Sequence, residues 1–318
     1  MTNNSTARQD HLDCAHGLMI LHMMFFHLCV SAIYDSPIFY PILHPLSFFM
    51  AWFFFKSGMF YKDRCIKDNI ILGFRRLFIP AVVFNVLGFI CYLIIEQPKT
   101  CFSYEMGFLY VFGTLRGNTP MWFLPSLFVV QVAFSLLRKC HFPTIVITLM
   151  AIGLFFLNKD IGFRPYWFYN IPLGLLFYSL GHILKELQYD KKTIVFCVLI
   201  YIGLFFINTD INFRDGLFSP TLVSLPWALA GCILLNVLFK SFPCLCVAPL
   251  RFFGKHAMEF YCTHIIIISI IEAIFRYTHT IISFVPFLFA LFTLYLIVFS
   301  LVLHFFKLKH IQWMFGKK

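Results

Sequence analysis

The sequence predicts an all-α integral membrane protein, a bundle of about ten transmembrane helices with both termini cytoplasmic. Three observations predict it. The 318-residue chain is 60% hydrophobic and only 12% charged, with a mean hydropathy of +0.83, whereas soluble domains are about 45–50% apolar and about 25% charged. Apolar runs of about 20 residues, enough to cross the hydrocarbon core, recur along the chain. The loops between them alternate between rich and poor in Lys and Arg, which sets orientation.

The runs give spans at 16–33, 42–61, 71–95, 121–138, 142–158, 167–186, 193–208, 219–239, 257–276 and 281–306. The segment Tyr104–Leu115 is apolar but short, so it is expected to be re-entrant or interfacial. After span two come Lys62, Arg64 and Lys67, then Arg75 and Arg76; the next loops on that side hold Arg138 and Lys139, then Lys185, Lys191 and Lys192, then Lys240, Arg251 and Lys255. The tail adds Lys307, Lys309, Lys317 and Lys318. The opposite loops are poorer: Lys99, Arg116, Lys159, Arg164, Arg214 and Arg276. One membrane domain, 1–318, is expected, with a short polar N-terminus over about 1–12 and a basic tail over about 307–318. The net charge of +11 is spread between spans, which argues against a nucleic-acid partner. The 44 phenylalanines suit lipid-facing helices.

The 11 cysteines are scattered, mostly inside apolar runs, with Cys244 and Cys246 the only tight cluster; they read as small buried hydrophobes. No cleavable signal peptide is expected, because the first ten residues are polar and Arg8 is their one basic residue. An internal echo relates Gly153–Arg164 to Gly203–Arg214. It presents Asn158, Asp160 and Arg164, then Asn208, Asp210 and Arg214, on the outer side. Two readings stand: a repeated helix-ending turn, or a polar rim for a hydroxyl-rich acceptor.

His27 is the leading catalytic candidate. An ionisable side chain inside a span is costly and marks function. An imidazole with an unperturbed pKa near 6.5 can take a proton from an alcohol and return it. His16, close to Asp13, lies eleven residues earlier; at about 100° per residue the two histidines fall within about 20° of one face, separated by roughly 16 Å of rise. His22 lies on another face, so no metal pair forms on this helix. Arg75 and Arg76 open span three, where guanidinium groups suit phosphate, although positive-inside anchoring also asks for arginines there. Ser57 sits in Phe53-Phe54-Phe55-Lys56-Ser57-Gly58, a segment that lets helices approach closely. Trp122 reads as an interfacial anchor or a stacking surface for a sugar ring. His264 lies inside span nine with Glu272 two turns later, and both are expected to face the bundle interior. There is no metal-ligand cluster, Gly-rich phosphate loop or hydrolase motif, which argues against nucleotide hydrolysis.

These pieces in this order resemble the membrane acyltransferase-3 family, especially its sugar O-acetylase branch, of fucose 4-O-acetylase type. Asp13, His16 and His27 resemble its opening motif; Phe53–Met59 resembles its aromatic Ser-Gly segment; Arg75–Pro80 its basic stretch; Met121–Phe128 its Trp-Phe-Leu segment; Ile171–Lys185 its sixth span; and Phe253–His264 its late Tyr-x-x-His motif. Two departures stand out. His16 replaces the usual Arg or Lys, and His256-Ala257 replaces a common Asn-Ser pair.

The resemblance implies a ten-helix bundle with acyl-CoA as donor and His27 as the catalytic residue. Acetyl-CoA is then a co-substrate and no bound cofactor is implied. Its phosphates are expected at Arg75, Arg76 and His16, with Asp13 orienting His16. Ser57, Trp122 and His264 are expected at the acceptor or in structural support. A histidine at position 16 makes donor binding weaker or pH-dependent. His27 acts either as general base or through a transient acetyl-histidine. The expected acceptor is a sugar hydroxyl of a surface polysaccharide or lipid-linked glycan, and the expected home is the bacterial cytoplasmic (inner) membrane. The rival reading is an exporter of such a polysaccharide or lipid-linked sugar; a third is an inactive member serving as a membrane partner. The acceptor, the acyl length and the oligomeric state are not written in the sequence.

Overall fold

The computed structural model describes residues 10–29, 43–97, 102–159, 165, 167–185, 190–207, 210–213, 217–219, 221–277, 292–301 and 309–317. Helix α1 (Asp10–Cys29) is followed by a 3-10 turn at His44–Leu46 and by α2 (Phe49–Met59). Helix α3 (Ile66–Glu96) runs 31 residues. Next come α4 (Phe102–Phe112), a 3-10 turn at Thr119–Trp122, α5 (Phe123–Lys139), α6 (Thr144–Lys159), α7 (Trp167–Leu184) and α8 (Lys191–Phe205). A short antiparallel pair, β1 (Asp210–Asn212) and β2 (Leu217–Ser219), sets Ile211 opposite Phe218. The chain continues through α9 (Thr221–Ser241), α10 (Ala248–Lys255), α11 (Ala257–Tyr277), α12 (Phe292–Leu301) and a 3-10 turn at Lys309–Phe315.

Among the described residues, five helical stretches are long and apolar enough to cross a membrane: Asp10–Cys29, Ile66–Glu96, Thr119–Lys139, Val223–Ser241 and Ala257–Ile274. Thr144–Leu157, Asn170–Leu184 and Phe292–Leu301 are apolar but shorter. This is a multi-pass membrane protein. Its outward faces agree: Val82, Val86, Ile90 and Ile94 form an exposed stripe on α3, as Val195, Leu199 and Ile202 do on α8. Such stripes cost about 25 cal/mol per Å² against water and little against lipid tails. Helix α4, with 11 residues, rises only about 16 Å and does not cross, as expected for that segment. The all-helical expectation yields at β1–β2, where β-prone Ile211, Leu217 and Phe218 pair across the second copy of the echo. Residues 160–164, 208–209 and 214 of the echo lie outside the described residues, as do most of span 281–306 and residues 30–33 of span one.

Two glycine crossings hold the helices that matter for the site. Gly17 of α1 abuts the Leu250 carbonyl of α10, while Gly254 of α10 abuts the Asp13 carbonyl of α1. Gly58 of α2 abuts the Tyr178 carbonyl of α7, while Gly181 abuts the Phe55 carbonyl. Each crossing is reciprocal, and a Cβ at any of the four positions overlaps backbone. Without water-driven burial between spans, close backbone approach of this kind carries helix association. Around the second crossing Trp52, Phe54, Phe55, Phe134 and Phe177 are almost fully buried.

Helix α3 departs from α geometry at Phe74–Phe78, which is a π-helical turn. Pro80 explains it. Proline has no amide hydrogen, so the carbonyl four residues back, that of Arg76, loses its α-helical donor and the ladder widens locally. The turn carries both arginines that sequence reading singled out. At the other ends, Asp190 caps α8 by accepting from the Thr193 amide at 2.8 Å. Hydrogen bonds from the Thr193 side chain and then its amide lower the pKa of that carboxyl.

Gly58→Ala or Gly181→Ala is expected to destabilise the detergent-solubilised protein by about 1–3 kcal/mol through overpacking, read as a lowered thermal midpoint. Gly153→Ala, where a Cβ meets nothing within 4 Å, is expected to leave the midpoint unchanged.

Candidate active site

Helix α1 carries a line of polar groups through an otherwise apolar bundle. His16 and His27 are both half-buried and lie eleven residues apart on this one helix, roughly 16 Å along its axis. His22 is buried on another face, its ring edge 5.5 Å from the Phe49 ring. The two aligned histidines meet different surroundings.

His16 opens onto a cavity of about 560 Å³, within the ~300–1,000 Å³ range of small-molecule sites. Lys56, Lys62, Arg64 and Arg76 bring four cationic side chains to its walls. None of the described residues lining it is acidic. The polar floor is ordered: Asn69 donates to Ser135 Oγ at 3.1 Å, and Ser135 donates to the Gln131 carbonyl at 2.8 Å. Ser57 also lines the cavity, but its hydroxyl donates to the Phe53 carbonyl at 2.8 Å. The charge of these walls is positive throughout. Guanidinium and ammonium groups on a partly enclosed wall interact more strongly with phosphate than they do in open water.

His27 does not line that cavity; it meets a second histidine. Its ring centroid lies 5.1 Å from that of His264 on α11, the planes inclined by 44°. His264 is fully buried, and its Nδ1 lies 2.7 Å from the Tyr261 carbonyl. A carbonyl only accepts, so Nδ1 carries the hydrogen and Nε2 keeps a bare lone pair. That Nε2 is buried with no hydrogen-bond partner among the described residues. In an interior that excludes water, a bare imidazole nitrogen is costly and chemically available.

The elements around this pair fix it in place. The Tyr261 hydroxyl donates to the Pro120 carbonyl. Asn118 donates from Nδ2 to the Cys262 carbonyl at 3.0 Å and to the Phe84 carbonyl at 3.2 Å. Asn85 accepts from the Leu115 amide at 2.9 Å. The loop before α5 is thereby clamped between α3 and α11, one turn from His264. Trp122 closes that corner, buried against Phe123 and lying nearly parallel to the Phe213 ring at 6.4 Å.

The sequence candidates thus fall into groups. His16, Arg76 and Ser57 come together in the cavity. His27 and His264 come together above it. Arg75 lies exposed beside Arg76 on the π turn, outside the cavity wall. Asp13 is buried on the face of α1 that packs against Gly254. His16 Nδ1 is buried with no hydrogen-bond partner among the described residues. Trp122 is packed rather than open to a ring. Among the described residues no group of three or more His, Cys, Asp or Glu stands at metal-binding spacing.

Sequence reading missed Lys62, Arg64, Asn69 and Gln131 as cavity residues; the signal of Lys62 and Arg64 was the same basic loop that sets orientation, and Asn69 and Gln131 gave none. It also missed the fate of the tail. The turn Lys309–Phe315 folds back on the bundle, with Phe315 4.9 Å from the Phe84 ring. Gly316 lies against the backbone of Arg75 and Arg76. Lys317 pairs with Glu259, which also meets His256 Nδ1 at 3.2 Å. His256, one of the two departures from the family pattern, therefore has a carboxylate partner.

The acyltransferase-3 family model, described as an acyltransferase domain, matches residues 10–304. No curated protein matches the chain. No solved structure matches it either.

Inorganic pyrophosphate is expected to bind the solubilised protein in the cavity, with affinity falling as salt is raised. Arg76→Ala or Lys62→Ala is expected to weaken it about tenfold, ~1.4 kcal/mol, by calorimetry. Equal affinity in wild type and both variants would mean that the cavity does not take anions.

Proposed function

Because the chain belongs to the acyltransferase-3 family, we propose that it moves an acetyl group from acetyl-CoA to a sugar hydroxyl of a surface polysaccharide or lipid-linked glycan. This places it in the family's sugar O-acetylase branch. The observation that carries the reading is the juxtaposition of a basic cavity at His16 with an imidazole pair farther along the same helix. In this reading the whole chain is one membrane domain of ten spans in the bacterial inner membrane, with both termini and the cavity facing the cytosol, where acetyl-CoA is held.

The donor's phosphates sit among Arg76, Lys62, Arg64 and Lys56, with His16 at the inner edge and Arg75 beside the mouth. Its pantetheine arm runs along α1 towards His27. The acceptor approaches from the opposite side, past the loop clamped by Asn118. His27 takes the proton of the acceptor hydroxyl as that oxygen attacks the thioester carbonyl. A C–O bond forms, the C–S bond breaks, and His27 returns the proton to the departing thiolate, giving free CoA thiol and the O-acetyl ester. His264, held as the Nδ1–H tautomer by the Tyr261 carbonyl, offers its Nε2 lone pair beside His27 and steadies the imidazolium that forms there. Asp13, Ser57 and Trp122 support the fold around these groups.

The test is transfer of labelled acetate from acetyl-CoA to glycan by purified protein in detergent, together with the O-acetyl content of surface glycans in cells with and without the gene. His27→Ala is expected to lose transfer by at least about 10²-fold while eluting as a folded protein. Undiminished transfer by that variant removes His27 from the catalytic role. Sugar crossing vesicles containing the protein, without acetylation, would establish the exporter reading instead.

A further inference from the structure

The cationic groups account for one part of the cavity at His16 and leave another part without a role. Asn69 and Gly73 of α3, Gln131 and Ser135 of α5, and Phe60 and Tyr61 just after α2 line the same space, and none of them is charged. A cavity of about 560 Å³ has room for a ligand of nucleotide size and not for phosphate groups alone. Helices α3 and α5 meet closely here. A Cβ on Gly73 would stand 2.8 Å from the Phe128 ring and 3.7 Å from Gln131 Oε1. The Gln131 amide thus sits against the turn of α3 that begins at Asn69.

Hydrogen bonding fixes which way the Asn69 amide points. Ser135 Oγ gives its one hydrogen to the Gln131 carbonyl, 2.8 Å away, so towards Asn69 it only accepts. The group 3.1 Å from it is therefore the Asn69 NH2, and Oδ1 is turned away from Ser135. That oxygen makes no hydrogen bond among the described residues. No such bond among the described residues holds the Gln131 side-chain amide, which is free to present either end.

Phe60 adds an apolar face. It lines the cavity and is 49% exposed, and the Lys56 ammonium lies 6.0 Å from its ring centroid. An exposed aromatic ring beside cations is the combination that takes a nucleotide, because the base stacks while the phosphates pair with the charges.

We propose that the uncharged side of the cavity is a nucleobase site selective for adenine, with Asn69 Oδ1 accepting from the exocyclic amine, Gln131 bonding a ring nitrogen and Phe60 stacking on the ring. The identity of the ligand rests on the proposed donor, whose far end from the thioester is an adenine nucleotide. Asn69 is the specificity-determining residue. Hypoxanthine carries a carbonyl oxygen where adenine carries the amine, and against a fixed amide oxygen that sets lone pair against lone pair. Gln131 turns to suit either base; Asn69, held by Ser135, does not.

The experiment measures binding of adenosine 3′,5′-bisphosphate and inosine 3′,5′-bisphosphate to the purified full-length protein in detergent by calorimetry, with inorganic pyrophosphate as the reference for anion binding. Wild type is expected to prefer the adenosine compound by at least about tenfold. Asn69→Ala is expected to bring the two nucleotides within about threefold of each other by removing the oxygen that discriminates. Ser135→Ala is expected to do the same while keeping Asn69, because the freed amide turns its NH2 to the hypoxanthine oxygen. Phe60→Ala is expected to weaken both nucleotides alike, about tenfold. Pyrophosphate affinity is expected to be unchanged in all three variants. Equal binding of the two nucleotides by wild type, or a preference that survives in both Asn69→Ala and Ser135→Ala, overturns the nucleobase site and leaves the transfer reading standing if labelled acetate still moves. Adenosine preference in a protein that transfers no acetyl group upholds the site and overturns the transfer reading.

Discussion

Polar side chains in the middle of a hydrocarbon layer must find their partners within the protein, because water is not there to supply them. His264 finds one partner and not two. The Tyr261 carbonyl takes its Nδ1 hydrogen, and Nε2 is left without a hydrogen bond beside the His27 ring. A fully buried imidazole held in that state is a poor choice for packing, since an apolar residue of similar volume would carry no penalty. It is a good choice for handling a proton. The rest of the molecule keeps this arrangement in place: Asn118 and Tyr261 lock α11 to the loop before α5, and the Gly17–Leu250 and Gly254–Asp13 crossing docks α10 onto α1 just before α11 begins.

A second constraint works at the other end of α1. The missing amide of Pro80 accounts for the π turn at Phe74–Phe78, and that turn sets Arg76 in the cavity wall and Arg75 outside it. The tail reinforces the same turn from behind, through Gly316 on the arginine backbone and Lys317 on Glu259. Two adjacent arginines therefore differ in whether they line the cavity for a reason that lies in backbone geometry. Cations line the cavity together with His16, and His27, eleven residues farther along the same helix, meets His264.

Much of this was legible in the sequence, and the limits are physical. Hydropathy marked the helices because lipid selects composition residue by residue, so α3, α5, α9 and α11 fall close to their expected positions. His27 and His264 were each marked by the cost of a polar group inside an apolar run. Their pairing was not, because it depends on how α11 is laid against α1, and that depends on glycine contacts whose partners are backbone atoms without a sequence signature. Lys62 and Arg64 were visible only as orientation signals; a basic loop that anchors a helix and one that lines a cavity read alike. Helical periodicity set His16 and His27 on one face, yet it gave no hint that His16 Nδ1 would be buried without a hydrogen-bond partner among the described residues. The β1–β2 pair hid behind an echo whose first copy ends a helix.

The most direct measurement of the central claim is a structure of the full-length protein with a non-hydrolysable acetyl-CoA analogue bound. The account predicts the diphosphate among Lys62, Arg64 and Arg76, and the thioester sulfur within reach of the His27 ring on the side shared with His264. An analogue seated with its sulfur remote from both imidazoles, or with its phosphates outside the basic cavity, would contradict it.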